Sequence, residues 1–124
     1  MPFVEILGFE KDVSRRLKAA EDLTRGLAEA YGISPDIIST YFITLDGTDY
    51  AHAGRLDPGA EHERVFVKLH AYARDEDLRA AAAAALTRAI AEAYGIRPKN
   101  VVVYFLERAS SEVSHEGKLQ SRQS

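Results

Sequence analysis

At 124 residues the chain has the length of one domain, and a single core at this size buries enough apolar surface to be stable. It is 46% hydrophobic and 28% charged with a net charge of -3, an ordinary globular balance that gives no reason to expect nucleic acid as a partner. The absence of cysteine excludes disulfides, thiol catalysis and thiolate metal sites. The alanine tract 80–85 is too short to span a bilayer and no leader pattern opens the chain, so the expectation is a cytoplasmic protein without a membrane partner.

In chain order, Pro2 to Leu7 alternates as a half-buried strand, and proline is tolerated at a strand's first position. A helix follows over Val13 to Tyr31, with Leu17, Ala20, Leu23, Leu27 and Ala30/Tyr31 at three-to-four spacing. Gly32 supplies the left-handed stop and Pro35 blocks continuation. Branched and aromatic residues predict a second strand over Ile37 to Leu45. A long connection then runs from Asp46 to Glu63, with turn signals at Gly54 and at Asp57-Pro58-Gly59. Val65 to Tyr72 is the third strand. Asp75 caps a helix that runs to Tyr94, with Glu76 and Asp77 placing negative charge in its first turn. Gly95 and Pro98 end it, and Asn100 to Glu107 is the fourth strand. From Ala109 the chain turns polar, with Gly117 as a turn candidate and residues 119–124 expected as a frayed tail.

The second half says again what the first half says, at a constant offset of 63 residues. Leu23-Thr24-Arg25 returns as Leu86-Thr87-Arg88. Ala28-Glu29-Ala30-Tyr31-Gly32-Ile33 returns as Ala91-Glu92-Ala93-Tyr94-Gly95-Ile96, and Tyr41-Phe42 returns as Tyr104-Phe105. The chain therefore reads as one domain, 1–118, made of two β-α-β units at about 2–45 and 65–108. The fold class is α+β, a four-stranded mixed sheet with both helices on one face. On the other face fall Phe3, Glu5 and Leu7, then Phe66, Lys68, His70 and Tyr72, then Val102, Tyr104 and Leu106. A face so apolar and aromatic predicts closure by self-association, with Glu5 and Lys68 expected to pair inside.

An initial Met-Pro, a short strand, a helix ending Tyr-Gly-x-x-Pro, a second strand, and then the whole unit again resembles the tautomerase superfamily. The likeness spans about residues 2 to 117 and is greatest to macrophage migration inhibitory factor, its relatives and a bacterial two-unit branch. The resemblance implies a homotrimer whose sheets wrap into a barrel, with active sites between subunits. It also implies Pro2 as catalytic base, a small-molecule substrate and no cofactor. The chemistry is reasonable: loss of Met1 leaves a secondary amine, and an α-amino group titrates at roughly 7.7–8.0 before an apolar pocket lowers it further. Such a neutral amine takes a proton from carbon beside a carbonyl and returns it elsewhere, the work of a keto–enol tautomerase on an α-keto acid or similar compound.

The pocket positions of the family fall here on Ile33 (a lysine in the cytokine-like members), on Tyr72, on Val102 and Tyr104 of a neighbour's fourth strand, and on Val113. The arginines of the oxalocrotonate tautomerases are unmatched; Lys11, Arg15 and Arg16 lie closest to the first of them. For an anionic substrate the nearest cations are Lys68 and Arg74, and for activating water the nearest carboxylates are Glu5 and Asp46. His52, His62, His70 and His115 lack metal-ligand spacing, and His70 reads as a hydrogen-bonded interface residue. Two other readings stand beside the enzyme: a trimer of this fold without efficient chemistry, and a ferredoxin-like small-molecule-binding module.

Overall fold

The alternation in the first strand becomes burial. In β1 (Phe3–Phe9) Val4 and Ile6 are buried while Phe3, Glu5 and Leu7 are half-exposed. The third predicted strand does the same with Val65, Val67 and Leu69. The computed structural model describes residues 1–123, in the order β1, α1 (Val13–Tyr31), β2 (Ser39–Leu45), β3 (Ala51–His52), β4 (Arg55–Leu56), β5 (Val65–Tyr72), α2 (Glu76–Tyr94), β6 (Val101–Arg108), β7 (Ser114–His115) and β8 (Lys118–Leu119). The main sheet has the order β2-β1-β5-β6. Within each unit the strands are parallel, and the two units meet antiparallel through β1 and β5.

Both helices cover one face of this sheet. Their buried side chains (Leu23 and Leu27 from α1, Leu86 and Ile90 from α2) close on Val4, Ile6, Val67 and Leu69 in one cluster. Each such side chain, fully buried, stabilises the fold by roughly 1.5–3 kcal/mol. The helix ends follow local chemistry. The side chains of Asp12 and Asp75 accept from the backbone N–H of Arg15 and Leu78, and Gly32 and Gly95 stop the helices at φ 64° and 66°.

Several boundaries differ from the sequence reading. The first strand starts at Phe3 and runs on to Phe9, and β2 starts at Ser39 because Pro35–Ile37 forms a 3-10 turn. The connection 46–63 is not irregular, since it holds a 3-10 turn at Gly47–Asp49 and the β3–β4 ribbon. The C-terminal segment repeats that arrangement, with a 3-10 turn at Ser110–Glu112 and the β7–β8 ribbon. Of the expected frayed tail, Leu119 pairs in this ribbon and Gln120–Arg122 form another 3-10 turn, while Ser124 lies outside the described residues. The duplication thus reaches beyond residues 45 and 108, and each unit carries its own ribbon at the same offset. Both ribbons turn through a residue and a glycine at positive φ, Ala53-Gly54 and Glu116-Gly117. Gly54 and Gly117 are the turns expected from sequence, but alanine and glutamate are uncommon at the position before them, so the Asn-Gly or Asp-Gly mark of a hairpin is missing.

The opposite face of the sheet carries no helix. Across it run Tyr41, Glu5, Lys68 and Tyr104 in one register row, the two edge tyrosines 58% and 57% exposed. Glu5 and Lys68 are register partners as expected, but the carboxylate of Glu5 bonds His70 Nε2 instead of Lys68. The His70 ring lies flat on Phe3, with centroids 4.1 Å apart and planes 4° apart, and this stacking brings it within reach of Glu5. Among the described residues no helix is long and apolar enough to cross a membrane.

Candidate active site

The sheet has two ends, and the antiparallel meeting of the units makes them near-copies. At one end lie Pro2, the last residues of β5 and β6, the last turn of α1 and the loop entering α2. Pro2 is buried at the head of the central strand β1, and its carbonyl accepts from the N–H of Ser39. Met1 before it is 59% exposed. The Arg74 guanidinium lies 4.4 Å over the ring of Tyr31 and donates to the carbonyl of Tyr72 at 2.8 Å. Glu107 holds this loop: its carboxylate accepts from the backbone N–H of Arg74 at 2.9 Å and from Arg79 Nη1 at 3.2 Å. Arg79 in turn donates to the carbonyl of Arg74. Glu107 is thus engaged with the backbone of Arg74, and among the described residues no carboxylate bonds its guanidinium.

The other end repeats these parts 63 positions away in sequence. Lys11 replaces Arg74 and lies 4.8 Å over the ring of Tyr94, which replaces Tyr31. Lys11 donates to the carbonyl of Phe9, as Arg74 does to that of Tyr72. Arg16 replaces Arg79, and its Nε is buried without a partner. Here the acid is Glu63, which bonds the cation itself at 3.1 and 3.2 Å and also accepts from the N–H of Phe9 at 2.6 Å. Burial pushes the Tyr94 hydroxyl up to about 12 and raises that of Tyr31 as well, with Arg74 opposing the rise at Tyr31. The counterpart of Pro2 is Val65, whose nitrogen is a mid-chain amide and cannot act as a base.

The predicted pocket residues divide by position. Ile33 sits half-buried where α1 hands over to β2, and Tyr72 ends β5, so both lie at the Pro2 end. Lys68 stands mid-sheet on the uncovered face, opposite Tyr104, while Val102 lies further along, opposite Phe66. Since β5 separates β6 from β1, one chain does not bring Val102 or Tyr104 to its own Pro2. Val113 precedes β7, its carbonyl bonded to the N–H of Gln120. Phe66, Lys68 and Tyr104 instead line an open groove of about 610 Å³ together with Leu7 and Leu106. Of the candidate cations, Arg74 is at the Pro2 end and Lys68 is not. Among the described residues no three His, Asp or Glu side chains gather as metal ligands would.

No protein-family model and no curated protein matches the sequence. Solved structures do match in shape. A native fused 4-OT superposes with a TM-score of 0.89 at 16% identity over 96% of both chains. The chain has the tautomerase fold. Another fused 4-OT with this fold, a symmetric trimer, matches 94% of both chains at 15% identity and a TM-score of 0.83. N1, a member of the cis-3-chloroacrylic acid dehalogenase family, matches at 0.80 and 21% identity, over 94% of this chain and 82% of its own. Macrophage migration inhibitory factor of Toxoplasma gondii matches at 0.76 and 16% identity over 94% and 97%. On this tautomerase fold the features missed in the sequence are the supports of the two ends: Arg79 with Glu107, and Glu63 with Lys11. The signal was present in the repeat, because Lys11/Arg74 and Arg16/Arg79 keep the same offset as the helices.

Proposed function

We propose that the chain is a cofactor-independent cytoplasmic tautomerase that assembles as a homotrimer and uses the Pro2 nitrogen as general base on a small enolisable carbonyl compound such as an α-keto acid. The observation that carries this reading is the company of Pro2: it is buried at the head of β1, and at the same end the Arg74 guanidinium, held by the Tyr72 carbonyl and the Tyr31 ring, is bonded by no carboxylate among the described residues. Once Met1 is removed, the Pro2 nitrogen accepts a proton from the carbon beside the carbonyl and returns it to the other end of the enol system. Arg74 holds the carboxylate of an α-keto acid while the proton moves. Ile33 and Tyr72 wall the site from the same chain, Val102 and Tyr104 come from a neighbour's fourth strand, and Val113 lines it from the C-terminal segment. The trimeric fused 4-OT supports this assembly, as does the aromatic sheet face that one chain leaves uncovered.

With Met1 attached, the Pro2 nitrogen is an amide without a basic lone pair, and the same trimer is then a binding protein without efficient chemistry. Phenylpyruvate ketonisation separates the two readings. The wild type, shown by intact mass to have lost Met1, is expected to accelerate the reaction, and Pro2→Ala to slow it by about a hundredfold or more. Equal rates for the two proteins would remove Pro2 from the chemistry.

A further inference from the structure

We propose that the Phe9 end of the sheet is a second carboxylate-binding site, kept shut by the chain's own Glu63. Glu63 is only 4% exposed, yet it lies in the connection between the units, two residues before β5, and belongs to neither helix nor strand. Its carboxylate has a complete set of donors: the N–H of Phe9 at 2.6 Å and Lys11 Nζ at 3.1 and 3.2 Å, with Lys11 itself nearly buried. The backbone is shaped to admit it. A Cβ added at Gly8 would stand 2.9 Å from Glu63 Oε2, so the carboxylate rests against β1 in space that any other residue would fill. The residue equivalent to Gly8 at the Pro2 end is Ala71, and there the acid comes from β6 and bonds the backbone N–H of Arg74, not its guanidinium.

A small enclosed space beside this seat, bordered by Gly8, Phe9, Lys11, Arg16 and Tyr94, adds the unpartnered Arg16 Nε to the donors. Two nearly equivalent cationic ends in one chain would otherwise both attract carboxylates. Each end holds two cations and one carboxylate. With Glu63 seated on Lys11 the position at the Val65 end is taken, whereas at the Pro2 end Glu107 bonds Arg79 and the backbone of Arg74, and the Arg74 guanidinium stays without a carboxylate among the described residues. The inference concerns the Phe9 end alone and does not depend on catalysis at Pro2.

Acetate is the probe, because it is the fragment that Glu63→Ala deletes. The variant should melt several degrees below wild type. Acetate should raise its Tm with the logarithm of acetate concentration above Kd, as a ligand bound only by the folded state does; sodium chloride at equal ionic strength should not. Wild type should respond alike to both salts, since its seat is filled. Lys11→Ala in the Glu63→Ala background should abolish the difference between the salts. Should Glu63→Ala not fold unaided, its refolding yield in acetate against chloride asks the same question. Equal effects of acetate and chloride on Glu63→Ala, in melting or in refolding, would overturn the proposal.

Discussion

At the scale of residues, the two ends of the sheet differ by where one carboxylate is placed. Glu107 grips the backbone of Arg74 and the side chain of Arg79, so it fixes the loop without quenching the guanidinium. If Arg74 binds a substrate carboxylate, Arg74→Ala removes a charge-assisted hydrogen bond of about 1.5–3 kcal/mol and raises KM for an α-keto acid by roughly ten- to a hundredfold. Glu107→Gln keeps the shape and loosens the loop, so its KM should rise less, with kcat near wild type. Unchanged KM in Arg74→Ala would move the anion contact to Lys68. Tyr94 gives a test of stability instead. Its hydroxyl titrates near 12 when folded and near 10 when free, so the folded state holds the proton more tightly. That contribution is complete below pH 10 and is lost as pH rises toward 12. Unfolding free energy measured in denaturant should fall across this window in wild type and fall less in Tyr94→Phe.

At the scale of elements, much was legible in the sequence. The bounds of both helices were readable because caps and stops are local: Asp75 before the acidic turn, and Gly32 and Gly95 after the last tyrosine of each. The strand faces were readable from alternation alone. The two ribbons were not, because their turns place Ala53 and Glu116 at positive φ, against the usual preference for asparagine, aspartate or glycine there. The ion-pair scaffolds of the two ends were not legible either, since Lys11 and Glu63, or Arg79 and Glu107, meet only through tertiary structure. The packing of the helices adds a prediction. Gly26 faces Ala85, and a Cβ on Gly26 would meet that of Ala85 at 2.9 Å. Gly26→Ala gains about 1 kcal/mol of helix propensity but overpacks a contact where such changes cost about 1–3 kcal/mol. A net loss of stability is expected in thermal melts, and Ala85→Gly in the same chain should recover part of it. A Gly26→Ala protein more stable than wild type would show that the helices part easily.

At the scale of the whole molecule, one chain covers only one face of its sheet and leaves the β2 and β6 edges unpaired within the main sheet. Edges and an aromatic face of this kind call for partners, and a closed ring of copies supplies them for every strand. The expected mass in solution is three times 13.7 kDa by light scattering. A monomer at micromolar concentration would sink the shared-site arrangement, because Val102 and Tyr104 would then never meet Pro2. The 63-residue repeat made the four-stranded sheet of two β-α-β units readable from the chain alone. The sequence did not reveal which of the two ends is open, because that depends on whether an acid bonds a cation or the backbone beside it.

The most direct test compares the rate of phenylpyruvate ketonisation in two preparations of the same folded protein, one with Met1 removed and one with Met1 retained behind a short N-terminal extension. The account predicts that activity tracks the fraction of chains with a free Pro2 nitrogen, measured by intact mass, and disappears in the extended form. Equal activity in both preparations would contradict it.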